Sequence, residues 1–406
     1  MIKGMNDFFA ANRARLATQL TGGVIVMSAY SAMQRGNDTS FAFEQEANFW
    51  WLSGIEVPDW WLIIDGARGK SWLAAPTISE SRQIFDGSLS FEQAKAISAV
   101  DAVITHAEAL DLLHDLAKRH STVYALGDQP HAEYLDFILN PAMKKLHDTL
   151  ERLFTSVQDC RRDIARLRAI KQPQEIAAMK QAIHLTADAF EYVRQQLPSL
   201  QHEYEVEAEF SYYFRRHGAK GHAYDPIVAS GGNACTLHYI DNASRLKKRQ
   251  LLLLDIGARS GGYAADITRT YALGEPTKRQ VAVHEAVQTA QQQIIALLRP
   301  DLLLEEYHRN VDVIMKQALL SLGLMRSMDD EAGYRTYFPH AISHGLGIDV
   351  HDSLGGPQSL QPGMVLTVEP GVYIPDEGIG VRIEDDILIT GTGHANLSAR
   401  LSTDLS

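Results

Sequence analysis

Four short segments in the C-terminal half put acids and imidazoles where apolar strands would otherwise exclude them. The first is LLLLDIGARSGGYAADITRTYAL, residues 251–273. Its apolar run draws Asp255 into a strand. Ser260-Gly261-Gly262 is turn chemistry, because glycine tolerates the positive φ of tight hairpins. With residues 260 and 261 as the two-residue loop, Asp255 is expected to face Asp266, and directly opposed residues have Cβ atoms ~5 Å apart. Two carboxylates that close repel unless a proton or a cation lies between them. The second segment, FPHAISHGLGIDVHD at 338–352, holds His340, His344 and His351, with Gly345 and Gly347 allowing close backbone approach. Its spacing of four then seven is not that of a helical HExxH zinc site. The third and fourth, LTVEPGVY at 366–373 and VRIEDDILIT at 381–390, place Glu369 and Glu384 among apolar neighbours. Strand alternation puts Arg382, Glu384 and Asp386 on one face, and Val381, Ile383 and Asp385 on the other. Glutamate is rarely buried without a partner.

Two aspartates, two glutamates and one of the histidines are thus expected on hydrophobic strands. Mostly oxygen donors with a single imidazole suit a hard or intermediate divalent ion such as Mn²⁺ better than a thiolate-loving metal. Four carboxylates are too many for one ion. They match two divalent ions bridged by shared carboxylates, some 3.5 Å apart. Such a pair can hold a hydroxide as nucleophile and polarise a carbonyl oxygen.

The elements that must position these groups differ along the chain. From residue 225 onward, strand-like runs follow one another, with helical patterns at 278–298 and 305–323. This predicts an α+β domain with an antiparallel, hairpin-rich sheet. The first 150 residues instead alternate short apolar runs (22–29, 60–66, 71–76, 101–106, 122–128) with amphipathic patterns at 91–100 and 107–120. That alternation predicts α/β, and no glycine-rich phosphate loop follows any of the strands. All the tryptophans (Trp50, Trp51, Trp60, Trp61, Trp72) fall in this part, as ordinary core or as an interface. The charged stretch 158–176 reads as the connector, with the domain boundary near 160. Pro173 and Glu175 suit the first turn of a helix. Ile176, Met179, Ile183, Ala187, Phe190 and Val193 line one face of that helix up to Pro198.

Composition narrows the function classes. The 406 residues include 50 acidic and 38 basic side chains, a formal net charge of −12. Nucleic acid and anionic membrane both favour basic surfaces, so neither is expected as a partner. Two cysteines, Cys160 and Cys235, read as free thiols in a reducing compartment. The N-terminal residues lack a secretory pattern. No run approaches the ~18 apolar residues of a membrane span. A cytoplasmic location is the expectation.

The order D…D…H…E…E within DIGARSGGYAADITRT, HGLGIDVHD, LTVEPGVY and GIGVRIEDDILIT strongly resembles the pita-bread metallopeptidases. The look is closest to their aminopeptidase P and prolidase branch, which cleaves bonds preceding proline. QEANFWWLSG (45–54) is similar to that branch's N-terminal domain, and IKQPQEIAAMKQAI to its interdomain helix. The resemblance implies a creatinase-like α/β N-terminal domain over 1–160. It implies an α+β pita-bread catalytic domain over 161–406. Carried over by motif, it implies Asp255, Asp266, His344, Glu369 and Glu384 as ligands of two divalent ions, with Asp266 and Glu384 bridging. Mn²⁺ is the first expectation, with Co²⁺ or Zn²⁺ as substitutes. It implies Glu369 as proton shuttle, His238 (in CTLHY) near the scissile bond, and His351 on the substrate carbonyl. His340 would line the proline pocket, while Arg382 and Tyr373 would stand behind the metal glutamates and beside the substrate. Proline-containing peptides are then the substrates, and a dimer or tetramer the expected assembly.

Within this branch, prolidases need a cation for the free carboxylate of a dipeptide, commonly an arginine between the HD and VEPG motifs. The stretch 353–367 contains no arginine or lysine, which favours an Xaa-Pro aminopeptidase over an Xaa-Pro dipeptidase. Creatinases do not use the metal pentad, and methionine aminopeptidases lack this N-terminal domain. A non-catalytic binding module would be expected to have lost ligands that this sequence keeps.

Overall fold

The apolar runs of the N-terminal half pair into one mixed sheet. The computed structural model describes residues 5–127 and 138–405. It divides into two compact units, Met1–Leu167 and Arg168–Ser406; the sequence reading places the boundary at 160. In unit 1 the strands are β1 (Val24–Ser28), β2 (Trp61–Asp65), β3 (Lys70–Ala75), β4 (Ala102–Thr105), β5 (Thr122–Ala125) and β6 (Ser156–Asp159). Their order across the sheet is β4-β3-β2-β1-β5-β6. β1 runs antiparallel to β2 and parallel to β5, so the sheet is mixed. β6 was not evident in the sequence: SVQD is short and polar, and only its parallel pairing with β5 makes it a strand. Asp128, the end of one expected strand, lies outside the described residues.

Helices α1 (Met5–Gln19), α2 (Ala47–Ser53), α3 (Glu80–Asp86), α4 (Phe91–Ser98), α5 (His106–Ala117) and α6 (Ala142–Leu153) complete this unit. Val24, Val26, Ile63, Leu113, Leu116, Val123, Leu146 and Leu150 form one continuous core between the sheet and α5 and α6. Ser90 and Thr105 cap α4 and α5 through full capping boxes, each worth roughly 1 kcal/mol. Of the tryptophans, Trp50, Trp51 and Trp60 are buried, and Trp61 stacks on His106 at 4.3 Å between centroids. The cluster is therefore mainly core.

The unit boundary falls inside α7 (Arg161–Ala169). α8 (Pro173–Gln196) follows, with Pro173 in its first turn and Glu175 closing a capping box on Gln172. The remaining helices are α9 (Glu203–Arg216), α10 (Lys278–Leu297), α11 (Leu304–Ser321) and α12 (Glu331–Tyr337). The strands are β7 (Gly221–His222), β8 (Ile227–Ser230), β9 (Leu251–Ile256), β10 (Ala258–Ser260), β11 (Tyr263–Ala264), β12 (Ile267–Ala272), β13 (Val365–Val368), β14 (Gly371–Ile374), β15 (Ile379–Arg382), β16 (Asp385–Ile389) and β17 (His394–Asn396). All are antiparallel, but they form four small sheets, β11-β10-β7, β12-β9-β8, β13-β16-β17 and β14-β15, rather than one. The interruptions matter, because Asp266, Glu369 and Glu384 each lie in a break between strands, and only Asp255 lies within one. A regular ladder spends its N–H groups on neighbouring strands. At a break the backbone can turn an acid toward a shared point.

The expected hairpin register is corrected. Ser260 pairs with Tyr263, so the loop is Gly261-Gly262, with φ of 60° and 85°. Both central residues of this turn need positive φ, which two glycines supply without steric cost. Asp255 therefore faces Thr268, not Asp266. The error came from starting the loop at Ser260, which cannot take that φ as readily. A shift of two in the pairing keeps side-chain parity, so both aspartates still point the same way. Among the described residues no helix is long and apolar enough to cross a membrane.

Candidate metal centre

Asp255 and Asp266 meet at one hydroxyl. Tyr224 Oη lies 2.6 Å from Asp255 Oδ1 and 2.6 Å from Asp266 Oδ1. Burial, then the two aspartates, push this phenol well above its ordinary range, so it stays a donor. One proton serves two acceptors, which leaves the pair short of positive charge. Asp255 is raised by its own burial, against the pull of Arg382.

His344 sits on a segment laid along β13. Its N–H donates to Thr367 Oγ1, Thr367 N–H donates back to the His344 carbonyl, and Glu369 N–H donates to Ile342. The glycines act as expected from the sequence. A Cβ on Gly345 would sit 2.3 Å from the Asp352 carbonyl oxygen, and one on Gly347 would sit 2.0 Å from Asp352 Oδ2. His344 Nε2 then lies 3.3 Å from Asp266 Oδ2 and 3.6 Å from Glu369 Oε1. Burial opposes a charge on this imidazole, but Asp266 and Glu369 outweigh it and raise its pKa to about 9.

Glu384 enters from the other side. Its N–H donates to the Thr268 carbonyl, and Thr268 Oγ1 donates to Glu384 Oε2 at 2.7 Å. The expected alternation persists across the break after Arg382. Arg382 touches Asp255, and Asp386 accepts from the Asp266 N–H at 3.2 Å. Asp385 points the opposite way, to Arg269 at 2.7 Å.

The buried carboxylates carry the cost of this crowding. Burial pushes Glu384 well up, with Asp266 and Glu369 adding to it. Glu369 rises to about 7 through burial, held back by His344 and Arg382. Asp386 is also pushed well up by burial, and its Oδ1 has no hydrogen-bond partner. Arg382 lies beneath the cluster and donates to Asp255, to Tyr373 Oη at 2.8 Å and to Thr268 Oγ1 at 3.2 Å.

Four carboxylates that repel one another around an imidazole are a donor set waiting for cations. Ligand atoms of Asp266, His344 and Glu384 all lie within 4.8 Å of one another. Asp255 is tied to that group through Tyr224, and Glu369 through His344. Hard oxygen donors with one nitrogen fit divalent ions such as Mn²⁺ or Zn²⁺. The residues fit the group.

The other expected site residues lie around this centre. His340 Nε2 is 2.9 Å from Tyr373 Oη and its Nδ1 is 3.5 Å from Glu369 Oε2. Burial, then Arg382, lower its pKa to about 4, so the ring is neutral. It packs edge-on against Phe338 and Tyr373. His351 crosses His344 at 4.5 Å between centroids. His238 is exposed, on the loop after β8, and its charge bears on both His340 and His351.

Several supports were not visible in the sequence. Tyr224 stands 31 residues before Asp255 with no spacing signal. Thr268 becomes legible only once the hairpin register is known. Asp352 is clamped by two buried cations, Arg168 at 3.0 Å and Lys171 at 3.5 Å, which fixes the turn that carries His351. Glu203, fully buried, accepts from Ser230, Asn233, Tyr239 and Ser244 and so ties down the loop that carries His238.

Known proteins resemble this chain along most of its length. Residues 177–391 match metallopeptidase family M24, and residues 9–124 match the aminopeptidase P N-terminal domain. The chain is 34% identical to the Xaa-Pro aminopeptidase of Escherichia coli, over 96% of this chain and 94% of that one. It is 34% identical to Xaa-Pro aminopeptidase 3 of Homo sapiens, over 93% and 78%. Aminopeptidase P from E. coli, in its low-pH form, superimposes with a TM-score of 0.86 at 32% identity, over 98% of this chain and 96% of that one. Proline aminopeptidase P II from Yersinia pestis superimposes with a TM-score of 0.83 at 33% identity, over 98% and 97%.

Proposed function

This chain belongs to metallopeptidase family M24, and from that premise we propose that it is a metal-dependent Xaa-Pro aminopeptidase. It removes an N-terminal residue that precedes proline. The observation that carries the reading is the convergence of Asp266, His344 and Glu384, with Asp255 and Glu369 joined to them. Asp255, Asp266, His344, Glu369 and Glu384 would hold two divalent ions, Mn²⁺ first. When bound, the ions supply Lewis acidity and a nucleophile at neutral pH.

The protein's own groups do the rest. Glu369, 3.6 Å from His344 Nε2 and 3.5 Å from His340 Nδ1, would take a proton from water and pass it to the proline nitrogen as general base and then general acid. The bond before proline is a tertiary amide with no N–H, so its leaving nitrogen needs that delivered proton. His351 would contact the scissile carbonyl, and His238 would lie near the scissile bond. The neutral His340 ring, with Phe338 and Tyr373, offers an apolar wall suited to a pyrrolidine ring. Arg382 holds Asp255 and Tyr373 in place.

An aminopeptidase is preferred to a dipeptidase because 353–367 has no cation to hold the carboxylate of a dipeptide, and because the relatives named above are Xaa-Pro aminopeptidases. A non-catalytic module would have no use for five convergent ligands. A cytoplasmic homo-oligomer, dimer or tetramer, completes the reading. The test is metal dependence. Chelated protein should be inert toward Ala-Pro-Ala and recover as Mn²⁺ is returned, saturating near two ions per chain. Full activity in the chelated protein would sink the proposal.

A further inference from the structure

A cavity remote from the metal centre has its own chemistry. It has a volume of about 860 Å³ and lies between the end of α8, the loop 245–250 and the end of β12. That volume is within the range of small-molecule sites. Leu197, Leu200, Leu246 and Leu273 give it an apolar floor, while Arg194, Arg245, Lys247, Lys248 and Arg249 stand in its wall. Glu275 is the one carboxylate among its lining residues. Five cations against one anion is a local balance of +4 in a chain whose net charge is −12.

None of these five cationic side chains has an ion-pair or hydrogen-bond partner among the described residues. The loop nevertheless holds them together. Leu246 N–H donates to the Gln201 carbonyl at 2.8 Å and Arg249 N–H to the Leu273 carbonyl at 2.7 Å. The Gln280 side chain ties down the Arg249 carbonyl at 2.9 Å, and Arg249 itself adopts a φ of 70°. Arg245, Lys247, Lys248 and Arg249 are exposed, and a basic cluster of this kind attracts anions. Tyr271 lines the same wall, with its side chain buried.

We infer that this cavity binds a small amphipathic anion, with a phosphate or carboxylate head among Arg194 and the 245–249 cations and an apolar body on the leucine floor. Tyr271 lies near the end of β12 and Asp266 just before its start, so the site is a strand length, about 17 Å, from the metal centre.

Calorimetric titration of the metal-loaded full chain tests this. The probes are octyl phosphate, octanoate, inorganic phosphate and the neutral octyl glucoside, at about 50 and 300 mM salt. One octyl anion per chain should bind, more weakly at the higher salt, with the glucoside and inorganic phosphate weaker by about tenfold or more. Tighter binding of octyl phosphate assigns a phosphate head; tighter binding of octanoate assigns a carboxylate. The exposed pair Lys247→Glu with Lys248→Glu should weaken the anion by about tenfold. The inference is overturned if the glucoside binds as tightly as the anions, if no saturable binding occurs, or if the charge-reversed variant binds as the parent does. The last result would place the anion on the metal centre instead.

Discussion

Replacing Tyr224 by Phe removes one oxygen atom from beneath the metal centre. In the structure that oxygen lies 2.6 Å from Asp255 Oδ1 and 2.6 Å from Asp266 Oδ1. These are lengths typical of O–H donation to an ionised acceptor. A hydrogen bond to a charged group contributes about 1.5–3 kcal/mol. The hydroxyl has one proton, so one such bond is lost, not two. Lost in full from the metal-loaded state, it corresponds to roughly a 10- to 150-fold weaker metal affinity. Outer partners of metal ligands generally account for about 10- to 100-fold, which agrees. The phenyl ring keeps its packing, so the fold should survive. The assay is a Mn²⁺ titration of chelated protein in competition with a chromogenic chelator, with peptide turnover followed in parallel. The variant should need about tenfold or more extra Mn²⁺ for half-maximal turnover, and recover most of its rate at saturation. A metal affinity within about threefold of the parent would refute the claim that this hydroxyl aligns the two aspartates.

Other consequences follow from the same contacts. Glu369→Gln should lower kcat by about 10²- to 10⁴-fold and leave Tm near the parent value; an active variant removes the shuttle role. Asp352→Asn removes the carboxylate that pairs with the buried Lys171 and one of the partners of the buried Arg168, which retains Asp349 at 3.1 Å. Urea unfolding should show a loss of about 3 kcal/mol, and a loss under 1 kcal/mol would show that the clamp is not stabilising. Acid sensitivity should come in part from His222 and His284, whose burial lowers each to about 4 from 6.5. Between those values the unfolded chain takes up protons that the folded chain refuses. Their stabilisation is therefore intact above pH 6.5 and lost as pH falls toward 4, by about 1.4 kcal/mol per pH unit for each histidine. His284→Phe should flatten the dependence of the urea midpoint on pH in that window; an unchanged slope would show that His284 titrates normally.

The class of each domain and the identity of the convergent acids were legible because burial and charge conflict locally. Asp255 after four leucines and Glu384 among isoleucines need a reason, and that reason is written within a few residues of each. What supports them is not local. Tyr224 reaches Asp255 from the bend between β7 and β8, and Arg168 and Lys171 reach Asp352 across 184 and 181 positions. Neither contact leaves a period or spacing in the sequence. The hairpin register turned on which residue of Ser260-Gly261-Gly262 opens the loop, a choice that φ decides and composition does not. The breaks at Asp266, Glu369 and Glu384 were read as strand because their neighbours are apolar. The backbone departs from the ladder there to aim the acids inward. β6 was missed for the converse reason: its polar residues earn strand geometry only from the neighbouring β5.

The central claim meets its plainest test when Mn²⁺-loaded protein is incubated with Ala-Pro-Ala and with Ala-Pro and the products are separated by chromatography. The account predicts release of alanine and Pro-Ala from the tripeptide, at a rate well above any cleavage of the dipeptide. Cleavage of Ala-Pro alone would contradict the aminopeptidase assignment, and an intact pair of peptides would contradict the peptidase itself.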